Sequence, residues 1–166
     1  MLLFLSTPEY TSTQSNATKV RVSLTNGSAE IYDKHQDLMG RIENNIMEVE
    51  TAFENRVEKT MFIVQNGVFV VSTKGLEATP ENAITTVYLY ARRVLQVTQN
   101  LSIDELVKEY EKKQAILDVL VARLLAKKEG ESLVKPLGSK LLLLEEEVTF
   151  LRRAIVIVKA LKDLKS

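Results

Sequence analysis

Apolar and polar residues alternate with a period near two from Leu2 to about Val97, and the period then changes to 3.6. Alternation of the first kind puts every second side chain on one face of a strand; the second kind draws an apolar stripe down a helix. In the first part, Leu2–Leu5 is a short strand stopped at Thr7-Pro8. Lys19–Leu24 alternates cleanly, with Val20, Val22 and Leu24 on one face, and ends at the turn signal Asn26-Gly27. Ile31 and Tyr32 form a brief extended piece, and Asn44-Asn45 turns the chain into Ile46–Thr51, where Met47 and Val49 share a face. Arg56–Gln65 places Val57, Met61 and Ile63 inward, and Asn66-Gly67 predicts a tight hairpin into Val68–Val71. The last extended stretch, Ala83–Val97, sets Thr85, Val87, Leu89 and Ala91 against Thr86, Tyr88 and Tyr90. Short strands at this spacing predict a β-sandwich or barrel.

The remainder predicts two helices. Ser102 and Glu105 have the form of a capping box, and the stripe Ile103, Leu106, Val107, Tyr110, Leu117, Leu120, Val121, Leu124 and Leu125 follows. Lys127 and Lys128 suit the negative end of the helix dipole, and Gly130 suits a left-handed cap. A breaker segment, Gly130–Gly138, leads to a second helix capped by Ser139, with the seam Leu141, Leu144, Val148, Leu151, Ile155 and Val158. So short a connection implies an antiparallel hairpin. Ala154–Val158 is apolar on every face, which calls for cover on more than one side, within the chain or outside it. The boundary between the two parts falls at Gln96–Leu101, giving domains 1–98 and 102–166.

Composition narrows the function classes. Twenty-two basic residues balance 22 acidic ones, which argues against nucleic acid or an anionic membrane as the main partner. There is no cysteine and one histidine, so thiolate and histidine-cluster metal sites are excluded, as are the usual nucleophile-and-base pairs. His35 lies in a charged loop with Asp33, Lys34 and Asp37, where a solvated role is expected. Glu145-Glu146-Glu147 diverge by about 100° per residue on a helix and suit the dipole rather than a metal. No glycine-rich phosphate loop is present, and Arg92-Arg93 and Arg152-Arg153 read as surface or interface pairs. The apolar runs are too short to span a bilayer. No catalytic, cofactor or metal site is expected.

In collinear order, several segments resemble the epsilon subunit of rotary F-type ATP synthases, equivalent to the mitochondrial delta subunit. They are Leu5-Ser-Thr-Pro8, Gly27–His35, the run Phe62–Val71, Ile103-Asp104 and the basic-Ala steps Arg153-Ala154 and Lys159-Ala160. The resemblance implies an α+β fold, an N-terminal antiparallel β-sandwich followed by a C-terminal antiparallel two-helix hairpin. It implies a non-catalytic rotor subunit, peripheral on the cytoplasmic membrane face, whose sandwich grips the gamma subunit. It also implies a contact to the membrane c-ring through Ser28, Ala29, Glu30 and His35. The hairpin would dock through Ala154, Ile155 and Ile157, and would meet the acidic catalytic alpha and beta subunits through Arg152, Arg153 and Lys159, braking hydrolysis.

The chain departs from the family pattern at three places. Gln36-Asp37 follows His35 where the family has Ala-Pro, and Ser28-Ala29 stands where it tends to have an acidic residue and leucine. The family's nucleotide signature Ile-Asp-x-x-Arg-Ala reads Ile103-Asp-Glu-Leu-Val-Lys108 here, with Val107 in the arginine's place, so no ATP binding by the hairpin is expected. Two alternatives stay open: the same subunit in a variant rotary ATPase doing mechanical work such as motility, and a free-standing adaptor dimerising through its hairpin.

Overall fold

Eight strands and two helices follow one another in the computed structural model, which describes residues 1–14, 16–53, 56–74, 84–126 and 134–164, with side chains left aside at Lys74 and 134–137. The chain divides into two units, 1–99 and 100–166.

In the first unit the strands are β1 (Leu2–Ser6), β2 (Thr11–Gln14), β3 (Ala17–Leu24), β4 (Gly27–Tyr32), β5 (Leu38–Ile42), β6 (Asn45–Phe53), β7 (Arg56–Lys74) and β8 (Ile84–Gln96). They pair in the order β2-β1-β8-β7-β6-β3-β4, with β5 also on β7. Among the described residues every pairing is antiparallel except β1 with β8, so the expected antiparallel sheet is a mixed one. The core is built from Leu3, Leu5, Val20, Val22, Ile31, Ile42, Met47, Val49, Phe62, Val64, Phe69, Val71, Val87 and Leu89.

The expected hairpin at Asn66-Gly67 does not form. Arg56–Lys74 is one strand of 19 residues. Asn66 instead takes a left-handed conformation, with φ 45°, and the left-handed Asn44 (φ 48°) lies in the break between β5 and β6 on the neighbouring side. The core-facing parity of β7 switches there. Phe62 and Val64 face the core before the break; Phe69 and Val71 face it after. Asparagine tolerates this conformation where most residues do not, so the Asn-Gly signal marks a bend in a strand that runs on.

Two further expectations on this strand change for the same reason. Val57 is exposed and Met61 half-buried, whereas Ile63 is buried as expected although it lies on the face opposite Phe62 and Val64, because apolar residues occupy both faces between Met61 and Val64. Polar β2 and the short β5 carry too little alternation to be predicted. At β5, Gly40 lets the Phe69 ring pack directly on the backbone: a Cβ there would lie 2.4 Å from the ring.

The second unit is an antiparallel pair of helices, α1 (Ile103–Leu125) and α2 (Val134–Asp163). Ser102 caps α1, its hydroxyl accepting from the Glu105 N–H at 3.3 Å. Lys113 pairs with Glu147 across the seam at 2.5 Å, and the Lys162 ammonium donates to the Leu101 carbonyl at 3.2 Å, which fixes the antiparallel register.

α2 begins before Gly138, so Ser139 lies inside the helix and is not its cap. Pro136 is tolerated because the first turn has backbone N–H groups without intrahelical partners. The expected roles of Lys127, Lys128 and Gly130 fall outside the described residues, and α1 closes at Ala126. Val148, Leu151 and Val158 of the expected seam are buried, whereas Leu125 is exposed. Phe150, Ala154 and Ile157 form a second buried stripe beside that seam, consistent with the all-round apolar character of this segment.

Candidate partner-binding surfaces

The first unit presents two outward sheet faces of opposite chemistry. Strand geometry sends successive side chains to opposite faces, so burying Leu3, Leu5, Phe69, Val71, Val87 and Leu89 turns Phe4, Val68, Val70, Tyr88 and Tyr90 outward. Cross-strand register then aligns Met39 with Val70, Val70 with Tyr88, and Tyr88 with Phe4. The result is an apolar row across β5, β7, β8 and β1, about 15 Å wide at the usual strand spacing.

Phe4 and Tyr88 rings lie 5.9 Å apart and tilted; Tyr88 and Tyr90 stack at 6.4 Å. Met39 is 72% exposed, Tyr90 50% and Val68 41%. A shallow groove lined by Asp37, Leu38, Met39, Val70, Val71 and Ser72 borders the row. Arg41 is the charged residue of the adjacent row, and it pairs with Glu43 at 3.1 Å. Tyrosine, phenylalanine and methionine are the residue types that interfaces favour. An outward sheet face is ordinarily polar.

The other face satisfies its own charges. Lys19 pairs with Glu30 at 2.9 Å, the Tyr32 hydroxyl donates to Glu30 at 2.8 Å, and Lys59 pairs with Glu48 at 2.7 Å. The hydrogen bond from Lys19 is the main reason the Glu30 carboxyl lies below its ordinary value, and it raises Lys19 in turn. Ser28, Ala29 and Glu30 lie in the strand β4 at the edge of the sheet, with the turn confined to Thr25-Asn26. The clean alternation of β3 supplies the template on which β4 pairs.

His35 lies in segment 33–37, held by a directed chain of hydrogen bonds. The Lys34 N–H donates to the Thr85 hydroxyl oxygen at 2.7 Å, and the Thr73 hydroxyl donates to the His35 carbonyl at 2.6 Å. Since that uses the Thr73 proton, Thr85 donates to Thr73 across 2.8 Å. Asp37 accepts from the Thr73 N–H at 2.9 Å, and Asp33 from the Thr85 N–H at 3.4 Å. Partial burial works to raise the Asp33 carboxyl, but the Met1 ammonium and the Thr85 hydrogen bonds outweigh it and hold the carboxyl below its ordinary value. The His35 ring contacts the neighbouring Gln36 carbonyl, Nδ1 to O at 2.8 Å. Sequence reading missed Thr73 and Thr85, because their roles depend on a pairing that periodicity does not specify.

On the hairpin the six expected residues separate. Ala154 and Ile157 are buried and Ile155 is half-buried; Arg152, Arg153 and Lys159 are exposed. Arg152 is occupied, donating to the Tyr110 hydroxyl at 3.2 Å with its guanidinium 5.8 Å from the ring centre. Tyr110 reads in sequence as a seam residue, and its hold on Arg152 was not foreseen. Among the described residues no group of three or more His, Asp or Glu is placed to hold a metal ion, and no helix is long and apolar enough to cross a membrane.

These features define an α+β chain, a β-sandwich followed by a helical hairpin, with one outward face of interface composition. No protein-family profile matches the chain, and no curated protein matches it. Among solved structures, a chain of the Euglena gracilis mitochondrial ATP synthase structure (OSCP/F1/c-ring) is similar at 14% identity and TM-score 0.48, over 68% of this chain. This protein spans 62% of that Euglena chain. A chain of the Tetrahymena thermophila mitochondrial ATP synthase central stalk/c-ring structure is similar at 12% identity and TM-score 0.46, over 93% of this chain and 96% of that one. At these values neither likeness identifies a family.

Proposed function

We propose that the chain is a non-catalytic central-stalk subunit of an F-type ATP synthase or ATPase, peripheral to the membrane through its complex. The sandwich binds the gamma subunit through the row Met39, Val70, Tyr88 and Phe4. The hairpin reaches the catalytic alpha and beta subunits, with Arg153 and Lys159 exposed to meet acidic surfaces. Two things support this reading: the collinear sequence resemblance, and a fold of the kind that resemblance implies. The observation that carries the binding role is the apolar row itself, an outward sheet face without the polar alternation that water favours.

In this reading the hairpin alternates between lying against the sandwich and extending along the gamma subunit toward the catalytic subunits, a switch that is energetically reachable. Moving four to six apolar side chains between surfaces involves on the order of 10 kcal/mol, while inverting a lopsided two-state equilibrium needs only about 5.5 kcal/mol of differential binding. Affinity purification of the tagged chain from its native cells tests the assignment. Alpha, beta and gamma subunits in the eluate are expected; recovery of the chain alone, or as a homodimer, overturns it.

A variant motor with an altered ring contact has one observation in its favour. Ser28 and Ala29 offer no carboxylate, and that of Glu30 is engaged by Lys19 and Tyr32. Ring subunits in the same eluate would count against this variant.

A further inference from the structure

Two Asn-Gly steps occur in the chain, and the fold treats them oppositely. Asn26 sits in the exposed turn between β3 and β4, and Gly27, also exposed, has φ 142° with no atom beyond its chain neighbours within 4 Å of where a Cβ would stand. Asn66 is half-buried inside β7, between Gln65 paired to Arg93 and Gly67 paired to Ala91. A Cβ at Gly67 would lie 2.7 Å from Val64 and 3.1 Å from Leu89. The first step has room for the backbone rotation that brings its nitrogen to the side-chain amide; the second has none without opening the sheet.

We infer that Asn26 is a site of spontaneous deamidation in the folded protein and that Asn66 is protected from it. The deprotonated backbone nitrogen of Gly27 attacks the side-chain carbonyl carbon of Asn26. The new C–N bond closes a succinimide as the side-chain nitrogen leaves as ammonia. Water then adds to either ring carbonyl and opens the ring to an aspartyl or an isoaspartyl residue. The net change is one water consumed, one ammonia released and one carboxylate gained.

The consequence falls on β4. Leu24 pairs with Gly27 across a two-residue connection, and among the described residues β4 pairs with β3 alone, at the end of the strand order. An isoaspartyl residue lengthens that connection by one backbone carbon and puts a new negative charge beside Ser28, Ala29 and Glu30. The reaction is independent of the rotor assignment; only its effect on a ring contact through those three residues rests on it.

The test is ageing of the intact folded chain at mildly alkaline pH, followed by peptide mass mapping and isoaspartyl methyltransferase labelling. Conversion at Asn26 should outpace that at Asn66 by at least about a hundredfold, since Asn66 must wait for local opening of a central strand. In denaturant the two rates should converge. Asn26→Gln should abolish the labelling of the folded chain while leaving its melting temperature unchanged. Equal rates at the two positions in the folded chain, or labelling that survives Asn26→Gln, would overturn the inference.

Discussion

Met39→Glu separates binding from folding on the outward row. Met39 is 72% exposed, so its replacement removes little buried area, and substitutions at such positions change stability by about 0.5 kcal/mol or less. Arg41, the nearest cation along the same strand face, already pairs with Glu43 at 3.1 Å, so the new carboxylate gains no ready partner. In a complex seated on Met39, Val70, Tyr88 and Phe4, that carboxylate would be desolvated without compensation. Burying an unpaired carboxylate in an interface of this kind costs about 2 kcal/mol or more, which is roughly 30-fold in affinity. The assay is titration of purified gamma subunit against wild-type and variant chains, with thermal melting followed by circular dichroism as the fold control. An unchanged melt with at least a tenfold loss of affinity is expected. Wild-type affinity in the variant would remove this face from the account, and loss of the fold would show that Met39 is structural.

The other predictions concern individual contacts. Gly40→Ala should destabilise the sandwich by about 1–3 kcal/mol through overpacking against Phe69, with Gly40→Ala/Phe69→Leu recovering part of the loss in denaturant titrations. Leu151→Ala should cost about 2–5 kcal/mol, read in denaturant titrations of the full chain. Tyr110→Phe should increase the mobility of the Arg152 side chain in NMR relaxation while changing stability by less than about 1 kcal/mol, because the pair lies at an exposed position. The pH dependence has a definite sign. The folded Asp33 carboxyl lies below its ordinary value of about 3.9, so its contribution is present above that pH and is lost as pH falls through the folded value. Carboxyl NMR should show Asp33 titrating below an unfolded-chain aspartate, and a titration at or above that value would contradict the dominance of the Thr85 hydrogen bonds and the Met1 charge over burial.

Much of the architecture is legible in the hydrophobic pattern. The change of period near Gln96–Leu101 lies between the end of β8 and the start of α1, and the alternations in β3, β6 and β8 place Val20, Val22, Met47, Val49, Val87 and Leu89 in the core. The misreadings share one physical cause, which is that local signals do not report tertiary context. Asn66-Gly67 satisfies the rule for a hairpin, yet continued pairing of β7 with β8 on both sides of Asn66 keeps the strand intact. Gly138 and Pro136 read as breakers, but a helix start tolerates proline, and α2 carries the glycine.

Surfaces are less legible than the core. Tyr88 and Tyr90 were recognisable as the residues opposite the buried set. Their assembly into a row with Phe4 and Met39 depends on a parallel pairing of β1 with β8 and on the placement of β5, neither of which periodicity encodes. The occupation of Arg152 by Tyr110 is likewise a product of hairpin register.

The proposed role requires the apolar row, and not the self-paired charged face, to meet the gamma subunit. A photo-crosslinking amino acid placed at Tyr90 in one version of the chain and at Lys59 in another, each irradiated in native complexes and read by mass spectrometry, tests it directly. The account predicts adducts with the gamma subunit from position 90 and none from position 59. Adducts to gamma from position 59 alone, or no ATPase subunit captured from either position, would contradict it.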